Sequence, residues 1–272
     1  MGSVCIKLRH DRKEVEQMKG KLFPVLRIAA IIVLICILIF SAYRIIILLS
    51  QKEQSKDLTQ QLTQMAVTVK PAQDLPPAEQ ERPAYAIPIS VDFDALKQQA
   101  PDIRGWIYCP DTPIHHPVVQ GKDNRYYLRR LANGQPNHAG SVFLDSRNPS
   151  DLTGYYNLIH GHNLKDDTMF GTLPNYSRQE YYDAHPIVYF LTPDADHVIE
   201  LFAGFTTNSE DPIYTIPLTG KQRMELAKGC IERSDFVSQV QPEESDQLVI
   251  LSTCAYDHED ARYAVIGVLR KN

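Results

Sequence analysis

The sequence lacks the excess of positive charge that proteins built to bind nucleic acid usually carry. Its 272 residues include 28 Lys and Arg against 33 Asp and Glu, which gives a formal net charge of -5. With 43% apolar and 22% charged residues, the chain as a whole is neither disordered nor collagen-like. It also has no internal repeat. We therefore expect no nucleic acid among its partners.

Metal-binding signatures are lacking as well, since the sequence contains neither a CxxC nor an HExxH motif. Structural and catalytic zinc sites need three or four ligands at recognisable spacing. His160 and His162 form a His-x-His pair, but no acidic partner motif accompanies it. The sequence therefore predicts no metal and no other cofactor.

The charge is unevenly distributed, because residues 1–49 hold 8 Lys and Arg against 3 Asp and Glu, whereas the remainder holds 20 against 30. Every residue from Ile28 to Phe40 is apolar, and with its flanks the apolar stretch exceeds 20 residues. About 20 helical residues cross the hydrocarbon core of a bilayer. Arg27 and Arg44 lie near its ends, where cationic side chains reach the headgroups. We predict a transmembrane anchor.

Two other interpretations of this stretch are weaker. A buried core helix is rarely apolar on all its faces over such a length. A cleaved signal peptide usually has a shorter apolar region followed by small residues, and the sequence at residues 41–44, SAYR, is a poor cleavage site. Because Lys and Arg precede the stretch, the N-terminus should be cytoplasmic.

The sequence thus predicts four segments. They are a basic cytoplasmic tail (residues 1–27), a single-pass anchor in the lipid bilayer (28–49), a stalk and Pro-rich linker (50–89) and an extracellular domain (90–272). Five prolines between Val67 and Pro88 favour a semi-extended spacer.

The outer segment has the pattern of a mainly β domain. A capped helix is predicted to begin within residues 90–96 and to end before Pro101. Short apolar runs broken by turns then predict strands, with a short helix around Tyr181 and a longer one at Lys221–Glu232. The predicted strands are Trp106–Tyr108, Val118–Val119, Ser141–Leu144, Tyr156–Ile159, Ile187–Leu191, His197–Phe205, Gln247–Thr253 and Tyr263–Leu269. This series favours a barrel.

Three of the five cysteines lie in the outer segment, so at least one has no partner within it. Cys109 and Cys230 are expected to be small buried hydrophobic residues, although a disulfide between them is possible. Cys254 differs because it ends an apolar strand and polar residues follow at once. This placement makes it a candidate nucleophile.

A reactive thiol needs a base, and acyl transfer needs a group that stabilises the developing oxyanion. His162 follows a strand that ends on a glycine, while His258 is close to Cys254 in sequence and is a rival base. Arg262 opens the strand after Cys254 and would face it across the intervening loop. A surface ion pair with Glu259 or Asp260 is the alternative role for Arg262.

These residues belong to a pattern that resembles the sortases, membrane-anchored cysteine transpeptidases of Gram-positive bacteria, and most closely their class B. The pattern covers most of the outer segment. Its parts are LSTC at residues 251–254 with Arg262 eight positions on, GHN at 161–163, GWI at 105–107, PVVQGKDN at 117–124, GSVFLD at 140–145 and MFGTL at 169–173. The helix at Lys221–Glu232 matches the extra helix that class B enzymes carry between the sixth and seventh strands.

The resemblance implies an eight-stranded sortase β-barrel with peripheral helices. It implies that Cys254 is the nucleophile, His162 the general acid/base, and Arg262 the residue that stabilises the tetrahedral intermediate and the bound peptide. Ser252 matches a substrate-contacting position, and Thr253 and Leu144 are further candidates for contact with the substrate.

Two positions depart from the family pattern. Ile250 replaces a threonine of the usual TLxTC, with little expected effect since both are β-branched. His160 occupies a place where class B members often have tyrosine, which leaves open which imidazole acts.

The function implied is cleavage of a C-terminal sorting signal on secreted proteins, NPxTx-like or xPxTG-like, through a thioacyl enzyme. The acylated protein would then pass to a peptidoglycan amine. A pilin-polymerising sortase that uses a pilin Lys amine is the alternative within the family. A hydrolytic cell-wall cysteine peptidase and a non-catalytic scaffold are alternatives of other classes.

Overall fold

The computed structural model describes residues 2–70, 85–164, 166–217, 219–254 and 261–271, with side chains from residue 26 onward and Cys254 by its backbone alone. The chain divides into two compact units, Met1–Ser50 and Gln51–Asn272. The first helix, α1, spans Gly2–Ala66. Its part from Leu26 onward includes a stretch that is apolar and long enough to cross a membrane and is not buried in the protein. This stretch is a candidate membrane span.

Eight strands of the second unit close into a barrel. They are β3 (Ile103–Tyr108), β4 (His115–Val119), β5 (Val142–Leu144), β6 (Tyr156–His162), β7 (Ile187–Leu191), β8 (Asp196–Thr207), β9 (Gln247–Cys254) and β10 (Arg262–Lys271). Around the barrel their order is β10-β8-β7-β3-β4-β5-β6-β9, and neighbours are antiparallel except for two parallel pairs, β4 with β5 and β6 with β9. The predicted barrel is confirmed, and each predicted strand is present with bounds shifted by a few residues.

The two faces of each barrel strand bury different sets of side chains, because successive residues of a strand point to opposite faces. Alternate residues of β6 and β9, such as Ile159 and Leu251, fill the barrel interior. Their neighbours Leu158 and Ile250 belong to a second apolar cluster, which includes residues of the helix α4 (Gly220–Glu232).

Helix α4 lies between β8 and β9 in the chain and thus between the sixth and seventh barrel strands, as expected. Thr219 and Gln222 form a capping box at its start, which satisfies amide groups that the first helical turn leaves unpaired. The short helix α3 spans Gln179–Ala184. Helix α2 spans Phe93–Gln99 and is capped by Asp92, within the range that the sequence predicts.

The segment between the apolar stretch and the barrel differs from the free stalk and spacer that its composition suggests. Leu62 is fully buried and Leu58 packs beside it, since residues four apart share one face of a helix. Two further strands, β1 (Val67–Val69) and β2 (Ile89–Val91), pair antiparallel and form a two-stranded sheet. The borders of the four predicted segments remain predictions.

Candidate active site

The ends of β6 and β9 bring two predicted site residues together. These strands run parallel, and His162 and Cys254 are register partners in the last pair of their ladder. Neighbouring strands lie about 4.8 Å apart, so directly paired residues carry their side chains side by side on one face. His160 and Ser252 form the paired position two residues earlier. His160, His162 and Ser252 are spaced by even numbers of residues from Leu158 and Ile250, and therefore point to the same outward face.

Arg262 comes from the strand on the other side of β9. Strand β10 is antiparallel to β9, with Ala264 paired to Ser252. The backbone amide of Tyr263 donates to Thr253 Oγ1 at 2.8 Å, which joins the two strands beyond this pair. Continued by two residues, the register would set the backbone of Arg262 opposite that of Cys254. The ends of three adjacent strands thus carry His162, Cys254 and Arg262.

The imidazole of His162 is held from the side of the barrel rim. Its Nε2 lies 2.7 Å from the carbonyl oxygen of Leu128. Because a carbonyl oxygen can only accept, Nε2 carries the proton of this hydrogen bond. In the neutral ring Nδ1 is therefore the nitrogen that accepts a proton. Gly140 (φ 63°) lies against the ring, since a Cβ there would be 2.8 Å from His162 Cδ2.

Tyr214 connects Arg262 to Ser252. The guanidinium carbon of Arg262 is 5.1 Å from the centre of the Tyr214 ring, a cation–π distance. The Tyr214 hydroxyl lies 2.7 Å from Ser252 Oγ. Burial raises the pKa of Tyr214, and the hydrogen bond to Ser252 and the charge of Arg262 partly oppose this shift. The phenol is therefore neutral at physiological pH and supports the guanidinium from one side.

Sequence reasoning missed Tyr214, although a local signal for its position is present. Pro212–Tyr214 form a short 3₁₀ turn, and Asp211 caps it by accepting from the amide of Ile213 at 3.0 Å. An Asp-Pro pair is typical of such a turn start. The sequence pattern does not reveal that this turn lies over β9, because that is a long-range contact.

His160 is tied into a buried ionic network. Its Nε2 lies 3.2 Å from Asp145 Oδ2, and Asp145 is fully buried. Arg147 donates to both carboxylate oxygens of Asp145 at 2.8 Å, and Asn124 Nδ2 donates to Oδ2 at 2.8 Å. Burial by itself would raise the pKa of Asp145, but the hydrogen bonds from Arg147 and His160 outweigh it and hold the pKa well below its usual range.

The network distinguishes the two imidazoles. His160 is only 7% exposed and lies 5.2 Å from the Phe143 ring centre, with one ring nitrogen on Asp145. His162 is less buried and lies at the strand end beside Cys254. His160 is thus held within the buried network, whereas His162 lies at the more accessible strand end. The rival base His258 lies outside the described residues, as do Glu259 and Asp260.

Two predicted substrate contacts, Leu144 and Thr253, lie away from the face that carries Ser252 and His162. Leu144 is 1% exposed and packs in the barrel interior with Ile159 and Leu251. Thr253 is also 1% exposed, and the alternation of β9 turns it to the face opposite Ser252. The structure brings Ser252 to the face of His162 and does not bring Leu144 or Thr253 there.

The other cysteines of the outer segment have packing roles. Cys109 and Cys230 are both free thiols and fully buried, in the interior cluster and in the α4 cluster respectively. The disulfide between them, which the sequence leaves possible, is not formed. Burial raises the pKa of each thiol to about 11, so neither is a thiolate at neutral pH. Among the described residues, no group of three or more His, Cys, Asp and Glu side chains is placed to hold a metal ion.

Comparisons with known proteins agree with this geometry. No protein-family model matches the chain. Sortase B of Listeria monocytogenes serovar 1/2a is 32% identical over 180 residues, which cover 64% of this chain and 72% of that protein. The Staphylococcus aureus sortase B–substrate complex superposes with a TM-score of 0.63 at 29% identity, covering 66% of this chain and 84% of that one.

A second solved structure covers more of the chain. Sortase B from Bacillus anthracis in complex with AAEK1 superposes with a TM-score of 0.69 at 26% identity, covering 82% of this chain and all of that one. The chain belongs to the sortase B family and is a cysteine transpeptidase.

Proposed function

We propose that this sortase cleaves a C-terminal sorting signal on secreted proteins and transfers them to a cell-wall amine, with Cys254, His162 and Arg262 as its catalytic residues. The observation that carries the proposal is the meeting of three adjacent strand ends. There His162 is the register partner of Cys254, and the β9–β10 register, continued by two residues, leads to Arg262. The similarity to the Staphylococcus aureus sortase B–substrate complex supports a sorting-signal peptide as the ligand of this site.

In the first half-reaction, the thiolate of Cys254 attacks the carbonyl carbon of the scissile amide. Negative charge develops on the carbonyl oxygen, and the Arg262 guanidinium stabilises it electrostatically. His162 then donates a proton to the amide nitrogen, the C–N bond breaks, and the C-terminal fragment leaves as an amine. The product is a thioester between the substrate and Cys254.

In the second half-reaction, an amine attacks the thioester carbonyl. His162 accepts the proton that the amine nitrogen loses, and the C–S bond breaks to return the thiolate. One similar solved structure is of sortase B complexed with triglycine, which supports a glycine amine as the first acceptor to test. The same steps with a pilin Lys amine would build a pilus, and with water they would hydrolyse the substrate.

The bond from His162 Nε2 to the Leu128 carbonyl gives the imidazole a defined role in both steps. With Nε2 committed to this bond, proton exchange takes place at Nδ1. The same bond limits rotation of the ring, so the proton is delivered from one direction. We infer that the Leu128 carbonyl is a positioning group for His162.

We propose that the apolar stretch of α1 anchors the enzyme in the cell membrane with its N-terminus in the cytoplasm. The excess of Lys and Arg before the stretch supports this orientation. Residues from about 50 onward would then lie outside, where secreted substrates and wall precursors meet. Under this proposal the enzyme is a single-pass membrane protein that works on the outer surface.

The decisive experiment is intact mass spectrometry of the full chain in detergent, mixed with NPxTx and xPxTG peptides. The full chain is used because residues 51–89 contribute buried side chains such as Leu62 and Ile87. We expect an acyl adduct on the wild type and none on the Cys254→Ala variant. Added triglycine should convert the adduct to a ligated peptide.

Each other result selects an alternative. An adduct released only by a Lys-containing pilin peptide would favour pilus assembly. An adduct released by water at the same rate with and without amines would favour a peptidase. Absence of an adduct with every peptide would refute the proposed substrate class, and equal adduct on Cys254→Ala would refute the nucleophile.

A further inference from the structure

The polar beginning of the helical segment 51–66 contacts two separate parts of the barrel rim. This segment lies next to the barrel along its length, with Leu62 buried at one end. Towards its start, four polar residues reach the rim; these are Gln51, Lys52, Gln54 and Lys56. We refer to these four residues as the clamp.

The first part of the rim is the turn that leads into β5. Asn137 Nδ2 donates to the carbonyl oxygen of Gln51 at 2.8 Å and to Gln54 Oε1 at 3.2 Å. Gln54 Nε2 donates to Gln135 Oε1 at 2.8 Å. Asn137 is itself 3% exposed, so its amide needs these partners. The clamp therefore completes the hydrogen bonding of this turn.

The second part is the loop that follows β6. Asp166 Oδ2 lies 2.9 Å from Lys52 Nζ and 3.8 Å from Lys56 Nζ. The side chain of Asp166 also accepts from Thr168 Oγ1 at 2.7 Å. Burial by itself would raise the pKa of Asp166, but the hydrogen bonds from Thr168 and Lys52 lower it overall. Asp166 is thus charged at neutral pH and joins the loop to the clamp.

Both parts of the rim contact the same residue, His162. The turn continues into Gly140, which lies against the imidazole and leaves no room for a Cβ. The loop begins directly after His162 and returns to its backbone, since the amide of Phe170 donates to the His162 carbonyl at 3.0 Å. One helical segment therefore holds two pieces of chain, one of which contacts the imidazole of His162 and the other its backbone.

We propose that the clamp is a positioning device for His162, through which the membrane-proximal helix sets the proton-transfer step of the enzyme. The clamp residues touch no reacting atom. They act by holding Asn137 and Asp166. Through these two residues they hold the turn that leads into β5 and the loop that follows β6, both of which contact His162. The inference rests on the proposed role of His162 as acid and base.

The test uses the full chain in detergent and two substrates that differ in their need for an acid. One is an NPxTx peptide with an amide at the scissile bond, whose nitrogen must be protonated to leave. The other is the matched peptide thioester. Its leaving group departs as a thiolate and needs no proton, because the pKa of the corresponding thiol is about 8.5. Lys52→Glu with Lys56→Glu breaks the contact with Asp166. Lys97→Glu on α2 is exposed and serves as the control for the change of charge.

Here amide turnover and thioester turnover denote the single-turnover rates of acyl-adduct formation on Cys254, so that the second half-reaction, in which His162 accepts a proton whichever substrate was used, does not contribute. We expect amide turnover by the double variant to fall roughly threefold to tenfold, while thioester turnover stays within about twofold of the wild type. Asp166→Lys added to the double variant restores the attraction with opposite signs, and amide turnover should recover to within about twofold. The control variant should match the wild type on both substrates.

Equal losses on both substrates would show a general structural effect and overturn the proposal. Unchanged amide turnover, or no recovery with Asp166→Lys, would also overturn it. His162→Ala separates the two levels of inference. If it abolishes amide turnover while the clamp variants act like wild type, only the clamp is refuted; if it leaves amide turnover intact, the role of His162 is refuted as well.

Discussion

Replacement of Gly140 by alanine tests whether the position of the imidazole governs the rate. Gly140 has a φ of 63°, in the left-handed region, and a Cβ there would lie 2.6 Å from the Leu128 carbonyl oxygen. It would also lie 2.8 Å from Cδ2 and 2.9 Å from Nε2 of His162. All three distances are shorter than real Cβ contacts. The new methyl group would therefore push on both partners of the Nε2 hydrogen bond.

Two separate effects lower the free energy of unfolding of Gly140→Ala. A non-glycine residue in the left-handed region costs about 1–2 kcal/mol, and forcing a methyl group into a packed site costs a further ~1–3 kcal/mol. The free energy of unfolding of Gly140→Ala should therefore fall by about 2–5 kcal/mol. A displacement of the imidazole near 1 Å should lower kcat/KM by about a hundredfold in the molecules that remain folded.

Gly134 provides a matched control in the same turn. Its φ is 82°, and the nearest atom to a Cβ there is the Tyr126 hydroxyl oxygen at 3.7 Å, an ordinary contact. Gly134→Ala thus carries the backbone cost without the collision, so we expect a loss of about 1–2 kcal/mol and near wild-type activity.

Unfolding in urea can be followed by the fluorescence of Trp106, the single tryptophan, which is fully buried in β3. Peptide cleavage would be measured per mole of thiol that forms an acyl adduct, so that unfolded protein does not count. If Gly140→Ala keeps a kcat/KM within about threefold of Gly134→Ala, the link between the Leu128 carbonyl, the imidazole and the rate is wrong.

Three further predictions follow from the site. Asp145→Asn should destabilise the protein by about 2–3 kcal/mol at pH 7, because a charged acceptor of several hydrogen bonds is lost. Since the folded-state pKa of Asp145 is depressed well below its usual range, this stability is fully present above roughly pH 4 and is lost progressively as pH falls towards the folded-state pKa. The gap between the urea curves of variant and wild type should therefore narrow as the pH is lowered below about 4, and a constant gap would contradict this reasoning. In a peptide cleavage assay, His162→Ala should lower amide turnover by about 10²–10⁴-fold, whereas His160→Ala should retain most of it. The reverse order of the two variants would assign the acid and base role to His160. Cys109 and Cys230 should resist iodoacetamide at pH 7 in the folded enzyme and react after unfolding in urea, because burial raises the pKa of both thiols. Peptide mass mapping can locate the label. Fast labelling of either cysteine in the folded enzyme would contradict its burial.

Much of the barrel could be predicted from local patterns. Runs such as Ile187–Leu191 are short, rich in β-branched and aromatic residues, and bounded by turn residues, and they form strands with the expected bounds. Helix α4 and its capping box are likewise local features. Boundaries were less predictable where a strand continues into polar residues, as β6 does through His160 to His162. There the neighbouring strand β9, and not local propensity, extends the ladder.

The candidate site was only partly predictable. The residues alone make Cys254 a candidate nucleophile, and the resemblance to the sortases selects His162 and Arg262 as its expected partners. No local pattern indicates that β6 and β9 are parallel neighbours, or that the Leu128 carbonyl meets His162. These depend on pairings between residues far apart in sequence, which the closed barrel imposes.

The packing of the membrane-proximal segment could not be predicted from the sequence either. Its polar composition favours a solvated stalk, yet every fourth residue from Leu58 to Ala66 is apolar, and the structure packs that stripe into an apolar cluster. The stripe is short and interrupted, so its partner could not be identified from the sequence. Packing against α2 and the barrel decides its place.

By itself, the sequence determined the apolar stretch, the eight strands and the burial of Cys109 and Cys230, each through short-range periodicity or composition. The resemblance of its motifs to the sortases made Cys254, His162 and Arg262 the expected residues of acyl transfer. The tertiary structure decided which strand ends meet, that Tyr214 supports Arg262, and that Leu144 faces inward. It did so because strand register and barrel closure are set by the packing of the whole chain, and side-chain neighbours across strands exist only once that packing is complete.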